Sequence, residues 1–496
     1  MPNPLIPRRV QRGLLPALLP LALAACANMH GLAPERAPRD PATVQATRSL
    51  GHVRVSDAAW PTTHWWSAFG DPQLDTLMDE ALAGSPSIAA ADARVRKAMA
   101  QAGLAEAGVL PTLGLGAQES HIRLPETLAP APIGGKLLNA TIVSLKFDWS
   151  PDLWGGKHAR WDAALGAARA QEADAQAARA TLAANVARTY SALAQAWDAK
   201  DVAEADVQRN ASLRKLAELR VKAGIDNQVL LSQVTSAEAA ARTQANIAQQ
   251  QIDALRTALA MLAGQGPDRG MAINRPHLGN PRIAVPSVVA SDLVARRADV
   301  VAARWRVEAA SRGIAASKAD FYPTLNLAAM VGLAAGNLSD LFGTDALLVN
   351  GGPAISLPIF DGGRLRNQLA GSNADYDLAV AGYDQAVLGA IREVVDAVQS
   401  ARELDTAITA ARQSRDAQAR ALSLVQQRYK AGLANQLDVL NAQKPLLQLD
   451  QQLASLRGKR IDAAIALDTA LGGGVPVTPA SDPAPHASVF NKASAR

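Results

Sequence analysis

The phrase RYKAGLANQ at residues 428–436 decides the fold, because a near copy, RVKAGIDNQ, stands 208 residues earlier at residues 220–228. Each copy alone predicts a helix end, since cations favour the negative end of the helix dipole and glycine accepts the left-handed conformation of a C-cap. The residues concerned are Arg220 and Gly224 in the first copy and Arg428 and Gly432 in the second. Capping explains each copy, but the fixed spacing indicates an internal repeat.

Other phrases recur in the same order along the chain. GVLPTLGLG at residues 108–116 returns as DFYPTLNLA at 320–328, and LWGGKHAR at 153–160 returns as FDGGRLRN at 360–367. LAMLAG, which ends the first half, is answered by LDTALG in the second. The chain is therefore predicted to be one unit duplicated.

Each half begins with segments whose apolar residues alternate with polar or small ones. This period of two predicts strands, two in each half. The alternating sets are Leu113, Leu115 and Ala117; Val143, Leu145, Phe147 and Trp149; Leu325, Leu327, Ala329 and Val331; and Ile355, Leu357 and Ile359. Polar, glycine-rich loops are predicted at 121–139 and 332–345. A soluble two-faced sheet alternates in the same way, so the strands alone do not identify a membrane protein.

After the paired glycines the pattern becomes helical. Residues 157–221 contain no proline and are rich in good helix formers, and residues 364–430 give nearly the same length. A helix of that size is about 100 Å long. A coiled-coil seam is predicted on the second helix at Val387, Ile391, Val394, Val398, Ala401, Asp405 and Ile408. Each half is thus predicted to hold two strands, a very long helix, a reversal and a returning helix.

The N-terminus has the pattern of an export signal. Three arginines precede an apolar run that is too short to span a membrane, and the run ends at Cys26, the single cysteine of the chain. The segment resembles a bacterial lipoprotein signal, in which the cysteine becomes the acylated first residue. In that pathway an aspartate at the next position favours inner-membrane retention, and here the residue is Ala27.

Charge and motif content argue against two broad classes of protein. Without the signal segment the chain has 47 basic and 45 acidic residues, a net charge of +2, and no basic patch interleaved with aromatics, so nucleic acid is not an expected partner. The seven histidines form no metal-ligand spacing, and no phosphate loop or nucleophile elbow occurs. We expect no enzyme activity, metal or cofactor.

The repeated phrases, together with WWSAFGDPQL at residues 65–74 and RRADVVAARWRVEAA at 296–310, resemble the TolC-like outer-membrane efflux factors, in particular their NodT-type lipoprotein branch. The resemblance covers nearly all of the mature chain. It implies an α+β membrane protein, a homotrimer with a twelve-stranded β-barrel, four strands from each chain, continued by a long periplasmic α-helical barrel. It implies an outer-membrane channel that passively conducts small molecules from an inner-membrane pump of the RND type and a periplasmic adaptor, or membrane fusion protein.

The expected organisation follows from the repeats and this resemblance. It comprises a signal peptide (1–25), a lipidated tether (26–55), the helical start of repeat 1 (56–110), β-hairpin 1 (111–150), helical hairpin 1 (151–265), a linker with the start of repeat 2 (266–320), β-hairpin 2 (321–360), helical hairpin 2 (361–472) and a disordered tail (473–496).

The resemblance also implies roles for particular residues. The two reversals become the periplasmic tips where the adaptor docks, which makes Arg220, Gly224, Arg428 and Gly432 candidate contacts. Leu437, Asp438 and Asn441 match a segment that narrows the tunnel with acidic and apolar side chains, although many relatives carry a second aspartate where Asn441 stands.

Two alternatives stay open at this point. An aspartate in the first turn of a helix is favoured by the helix dipole, so Asp438 also has a purely local explanation. A structural coiled-coil lipoprotein without transport would share the signal and the helices, but it has no use for four amphipathic strands. Pro445, inside the returning helix, is expected to kink it.

Overall fold

The structure is a computed structural model that describes residues 29–44, 47–50, 60–128, 130, 132, 134–279 and 296–474. Outside this range lie the predicted signal peptide, most of the predicted tail and residues 280–295 of the linker. The same holds for residues 26–28, with Cys26, and residues 45, 46 and 51–55 of the tether, and for residues 56–59 at the start of repeat 1. The chain forms two compact units. The first comprises Met1–Pro38, Val95–Ala170 and Arg304–Tyr383, and the second comprises Arg39–Arg94, Gln171–Ala303 and Asp384–Arg496.

The first unit contains one antiparallel sheet of four strands in the order β1-β2-β3-β4. The strands are β1 Thr112–Arg123, β2 Leu137–Trp149, β3 Thr324–Ala335 and β4 Leu347–Ser356. The pairing of β2 with β3, which places Leu145 opposite Val331, joins the strand pairs of the two repeats. The outer strands β1 and β4 each pair on one side only within the described chain. The prediction of two strands in each half is confirmed.

One face of the sheet is apolar across all four strands. In the register, Leu115 lies opposite Leu145, Leu145 opposite Val331, and Val331 opposite Val349. The alternate positions, which lie on the other face, hold Gly116, Ser144, Gly332 and Leu348, most of them small or polar. Leu113, Leu115, Val349 and Ile355 are all exposed on the apolar face. An exposed apolar sheet face that continues over four strands is suited to contact with lipid.

The strand boundaries differ from the predicted ones. β1 and β2 extend through residues that were predicted to be loop, and the ring of His121 contacts the Asn139 side chain at 2.8 Å across the two strands. Polar side chains prolong a ladder as readily as apolar ones where the sheet leaves the apolar band. The predicted positions Leu357 and Ile359 lie after the end of β4. Pro358 follows there and has no N–H to continue the ladder.

Seven helices of thirteen or more residues are described within the resolved ranges. They are α1 Pro72–Gly84, α2 Pro86–Ala107, α3 Gly156–Lys222, α4 Gln228–Leu262, α5 Ala298–Ala319, α6 Arg364–Lys430 and α7 Gln436–Ala470. The long helices α3 and α6 have 67 residues each, and the returning helices α4 and α7 have 35 each. These equal lengths confirm the duplicated pattern of a very long helix, a reversal and a shorter returning helix. None of these helices has an apolar stretch of the length that crossing a membrane requires.

Aspartates before the paired glycines start the two long helices. The Asp152 carboxylate accepts the His158 N–H at 2.8 Å, and the Asp361 carboxylate accepts the Gly363 and Leu365 N–H groups at 3.0 and 2.9 Å. These bonds satisfy N–H groups that have no partner within the helix. Gly156 is needed for another reason, because a Cβ there would lie 2.5 Å from that of Ala319 on α5.

A large core of the second unit forms around the segment WWSAFGDPQL. Trp65, Trp66 and Phe69 are buried with residues of α1, α3 and α4. Asp71 caps α1 at the Gln73 N–H, and its other carboxylate oxygen accepts the Tyr190 hydroxyl at 2.7 Å and the His277 N–H at 2.8 Å. Burial, with the Asp71 charge, raises the pKa of Tyr190.

The predicted seam on α6 is buried at six of its seven positions. The exception is Asp405, an exposed side chain whose carboxylate accepts a hydrogen bond from Arg460 Nε of α7 at 2.7 Å. Helix periodicity therefore located the packing face, and the one polar member of the seam forms an ion pair at its margin.

Described residues of the predicted tether lie along α6. In the first unit, the Glu35 and Arg36 N–H groups donate to the Asp377 carboxylate at 2.9–3.1 Å. In the second unit, the Arg39 N–H donates to Asp384 at 2.9 Å. The N–H groups of this extended backbone thus donate to acidic side chains of a helix rather than to the carbonyl groups of a strand. The composition of the tether gave no signal for this arrangement.

Candidate gate and docking tips

Both reversals have the same backbone. At the first, Gly224 has a φ of 70°, its N–H donates to Val221 O at 3.0 Å, and the Ile225 N–H donates to Arg220 O at 2.8 Å. At the second, Gly432 has a φ of 74°. This is the glycine C-cap that the sequence predicted, with two backbone bonds closing the last turn of the helix.

The second reversal repeats those bonds. The Gly432 N–H donates to Tyr429 O at 3.0 Å, and the Leu433 N–H donates to Arg428 O at 2.8 Å. A Cβ added at either glycine would meet nothing within 4 Å. The requirement for glycine at Gly224 and Gly432 is therefore conformational, not one of space.

The side chains of the first reversal form an internal ion pair. Arg220 Nε and Nη2 donate to the two carboxylate oxygens of Asp226 at 2.5 and 3.2 Å. The hydrogen bond from Arg220 lowers the pKa of Asp226, so the pair stays ionised at neutral pH. A bidentate guanidinium–carboxylate contact fixes both groups in orientation. The first tip therefore neutralises its own arginine.

The second reversal has no such pair, because Ala434 stands where the first has Asp226. Among the described residues, the Arg428 side chain donates one hydrogen bond, and it is long, 3.4 Å from Nη2 to Leu433 O. The second tip is closed by a capping box: the Asn435 side chain accepts the Asp438 N–H at 3.0 Å, and Asp438 accepts the Asn435 N–H at 2.9 Å. These reciprocal bonds satisfy two N–H groups at the start of α7.

The first repeat has only half of that box. The Asn227 side chain accepts the Leu230 N–H at 3.2 Å, but leucine cannot return the bond. The two reversals thus have the same backbone conformation but different side-chain interactions, an ion pair in the first and a capping box in the second.

The structure places the predicted gate residues on the first two turns of α7. Asp438 and Asn441 are exposed, Leu437 is half-buried, and their neighbour Leu440 is buried. The carboxylate of Asp438 is engaged by the helix start, which is the local role that the sequence left open. It also lies on the exposed side of the helix with Asn441. α7 continues through Pro445 to Ala470, and the kink stays a prediction.

Each helical hairpin has its own ion pairs behind the tip. In the first, Glu238 of α4 is buried and accepts hydrogen bonds from Arg214 and Arg242, both at 2.6 Å. The bond from Arg214 lowers the pKa of Glu238. In the second, Arg415 of α6 donates to Asp450 of α7 at 2.9 Å.

Sequence reasoning missed Asp226, Asn227 and Asn435. The signals were present: an acid two residues after the cap glycine, and an Asn followed three residues later by Asp, which is the signature of a capping box. The family resemblance drew attention to Asp438 as a gate residue, and its partner Asn435 was overlooked.

Comparisons with known proteins agree with this geometry. The family described as outer membrane efflux protein matches residues 77–265 and again residues 289–473, so each half of the chain matches separately. The fusaric acid resistance protein FusA of Burkholderia cepacia is 37% identical over 361 residues, which cover 71% of this chain and 68% of FusA. The pyoverdine export outer membrane protein OpmQ of Pseudomonas putida is 31% identical, with 92% of this chain and 97% of OpmQ covered.

Solved structures show the same fold. The outer membrane protein VceC of Vibrio cholerae is 34% identical and superposes with a TM-score of 0.76, covering 84% of this chain and all of VceC. This chain thus shares its architecture of alternating strands, paired long helices and two reversals with a known class of channel proteins.

Proposed function

This chain belongs to the outer membrane efflux protein family, and we propose that it works as a homotrimer in a tripartite system with a periplasmic adaptor and an inner-membrane pump of the RND type. It is an outer-membrane efflux channel protein, and the fold class predicted from the sequence is confirmed. The observation that carries the proposal is the duplication. Each half supplies one strand pair and one long helical hairpin with a basic tip.

The unpaired sheet edges support the homotrimer. Open edges are not tolerated in lipid, and a closed barrel needs at least about eight strands. The described part of one chain provides four, of which β1 and β4 pair on one side only. Three chains pairing β1 with β4 of the neighbour give twelve strands and leave no edge.

The tips support docking of a periplasmic adaptor. Both reversals expose an aliphatic side chain directly after the cap glycine, and both carry cations before it. Arg220, Gly224, Arg428 and Gly432 are the proposed contacts. We assign no enzymatic step to the chain, because it is related to channel proteins and its proposed role is passive conduction.

Leu437, Asp438 and Asn441 are proposed to narrow the tunnel. Three copies of Asp438 around a threefold axis give a ring of carboxylates that attracts cations at a narrow mouth. The half-buried Leu437 supplies the apolar part of the constriction. The carboxylate caps its own helix at the same time, so the two roles have to be separated by experiment.

Cys26 is proposed to carry acyl chains that anchor the channel to the outer membrane. Acylation at this point adds a lipid contact beside the barrel. Replacing Cys26 by Ser should abolish incorporation of labelled palmitate and leave an unprocessed precursor. Equal mobility of the two chains, with no label in either, would refute the anchor without affecting the channel.

Conductance tests the channel against the alternative of a structural lipoprotein. Purified protein reconstituted in planar bilayers should give small, cation-selective single-channel currents, and Leu437→Ala should increase them. Leu424→Ala, an exposed position on α6 before the tip, is the matched control and should leave them unchanged. Trimers that insert into the bilayer but pass no current, in the wild type and in Leu437→Ala alike, would favour the structural alternative.

A further inference from the structure

We infer that the second reversal is an electrostatic docking point, where Arg428, with Lys430 and Leu433 beside it, receives a carboxylate of the adaptor, whereas the first reversal, where Arg220 stays paired with Asp226, docks mainly by apolar contact. This inference rests on the proposed docking of an adaptor at the tips. It adds the chemistry of the partner and a division of labour between two tips that are otherwise duplicates.

The two arginines differ in what holds them. Arg220 is held by both oxygens of Asp226. No carboxylate of the described residues pairs with Arg428, whose side chain makes a single long bond to a backbone carbonyl. A guanidinium is always charged and presents several donors in a fixed fork, which is the geometry that binds a carboxylate. The Arg428 guanidinium therefore remains able to bind a carboxylate of a partner, whereas the Arg220 guanidinium is already bound to Asp226.

The charge of the two segments differs in the same sense. The reversal at residues 220–226 holds Arg220, Lys222 and Asp226, a net charge of +1, and the equivalent residues 428–434 hold Arg428 and Lys430, a net charge of +2. The nearest downstream acid, Asp438, is bound to the Asn435 N–H at the start of α7. The second tip is thus the more positive of the two and the less compensated.

An apolar contact is available at both tips. Ile225 is 64% exposed and Leu433 is 70% exposed, each directly after its glycine. Exposed aliphatic side chains at the point of a hairpin fit a small apolar hollow in a partner, but they do not distinguish the tips. Charge distinguishes them, and charged groups contribute mainly to the selection of a partner and to the rate of encounter.

The expected occupant is a periplasmic adaptor whose docking surface has Asp or Glu beside an apolar hollow. A planar bidentate contact with Arg428 would set the register of the adaptor on the second hairpin. The duplicated hairpin, with its arginine already paired, would accept the same apolar shape without a charge requirement. Adaptor docking at the second tip would then be more sensitive to salt than docking at the first.

Cysteine reporters at the tips make this testable in the native cell envelope. The chain has a single natural cysteine, Cys26. Ala431→Cys and the equivalent Ala223→Cys, both at exposed positions directly before the cap glycines, each add a second thiol and leave Leu433 and Ile225 in place. The unsubstituted protein is the labelling control. The thiol is labelled with a maleimide photo-crosslinker, and the crosslinked partner is identified by peptide sequencing. Trimer yield on gels reports correct assembly for each variant.

The test changes the charged residues of each tip, first by giving the second tip the acidic residue that the first tip has. Ala434→Asp puts a carboxylate where the first tip has Asp226, so it should neutralise Arg428 without removing it, and Ala434→Asn is the uncharged control of similar size. We expect Ala434→Asp and Arg428→Glu to lower adaptor crosslinking at position 431 by about fivefold, roughly the effect of an ordinary ion pair. Ala434→Asn should have little effect, and Asp226→Asn should raise crosslinking at position 223.

The possible outcomes separate the inference from the proposed function. Adaptor crosslinks at 431 that depend on charge as described, joined to a peptide with Asp or Glu beside the crosslinked residue, would support the inference. Adaptor crosslinks of equal yield in all charge variants would overturn it while leaving tip docking intact. Equal loss in Ala434→Asn and Ala434→Asp would also overturn it, since shape and not charge would then matter. Assembled trimers without crosslinks at 223 or 431 would overturn both.

Discussion

Asp438 has one role that the structure shows, in the cap of α7, and a second that we propose, in the gate. Its carboxylate accepts the Asn435 N–H, which closes the start of α7. The same carboxylate lies on the exposed side of that helix, where a ring of three would act on passing ions. Loss of the side chain removes both functions together, so an alanine substitution alone cannot assign either.

An amide at this position separates the two roles. Asp438→Asn keeps an oxygen that can accept the Asn435 N–H, and it removes the charge. We expect it to weaken cation selectivity, measured by reversal potential in planar bilayers, while amide hydrogen exchange at residues 433–440 stays as in the wild type. Asp438→Ala should weaken selectivity and also speed exchange, because a lost cap costs about 1 kcal/mol.

Asn441→Asp is the complementary variant, since it adds a second carboxylate on the exposed side of α7. It should strengthen cation selectivity without affecting the cap. If Asp438→Asn and Asn441→Asp both left the reversal potential unchanged, Asp438 would be a helix-start residue only, and the constriction would be apolar.

Asp468, near the end of α7, gives a pH dependence. Burial raises its pKa to about 7. Between the ordinary pKa of an aspartate and this value, the folded protein binds more protons than the unfolded chain, so the stability that the group contributes falls as pH rises towards 7. The cost is fully present above pH 7 and absent below about pH 4.

Asp468→Asn should therefore stabilise the protein more at pH 8 than at pH 5, by about 1–3 kcal/mol at the higher pH. Thermal unfolding in detergent at the two pH values measures this difference. Asp450→Asn, which removes the partner of Arg415 instead, is the contrast and should destabilise at both values. A gain for Asp468→Asn that is the same at both pH values would show that the carboxylate is not titrating in this range.

At the scale of the element, the long helices were predictable and their side-chain devices were not. The bounds of α3 and α6 differ from the predicted ones by one residue or none, because runs without proline end at glycine turns. The seam on α6 follows helical periodicity in the same direct way. The Arg220–Asp226 ion pair and the hydrogen bonds from the tether to Asp377 depend on which residues come together after folding. The periodicity of apolar residues in the sequence does not contain that information.

The cap glycines test the element directly. Gly432→Val forces a β-branched residue to a φ of 74° and should cost about 1–2 kcal/mol at the tip, as should Gly224→Val. Gly389→Ala, inside α6 and with open space at the Cβ position, is the control and should be neutral or stabilising by up to about 1 kcal/mol. Hydrogen exchange at the reversals measures the strain.

Assembly and docking respond differently to that strain. We expect the two valine variants to assemble as trimers in normal yield, because no trimer contact is needed at a frayed tip, and to lose adaptor crosslinking. Hydrogen exchange must first verify that the reversal opens locally in each valine variant. Normal adaptor crosslinking in both variants would then show that the adaptor does not recognise the backbone conformation of the reversals.

At the scale of the whole molecule, the sheet sets the number of chains. The strands and the apolar face were predictable from alternation, whereas the pairing order, and with it the open edges, became visible only in the structure. The two sheet edges that are unpaired among the described residues are able to pair with further strands. In the proposed homotrimer, the β1 and β4 edges of neighbouring copies pair with each other, and the apolar face lies against lipid.

Disulfide scanning across the edges tests this closure. Leu115→Cys on β1 is combined with a cysteine at one of the apolar-face positions of β4, which are Leu347, Val349, Gly351, Pro353 and Ile355. Cα atoms must come within about 7 Å to form a disulfide, so a single register of β1 against the neighbour's β4 allows one or two of the five pairs. Those pairs should give dimers and trimers on non-reducing gels and no larger species. Val143→Cys on the inner strand β2, in place of Leu115→Cys, is the control and should give neither. Ladders beyond the trimer would indicate open association of sheets instead of a closed barrel, and absence of crosslinks at all five positions would refute pairing of β1 with β4.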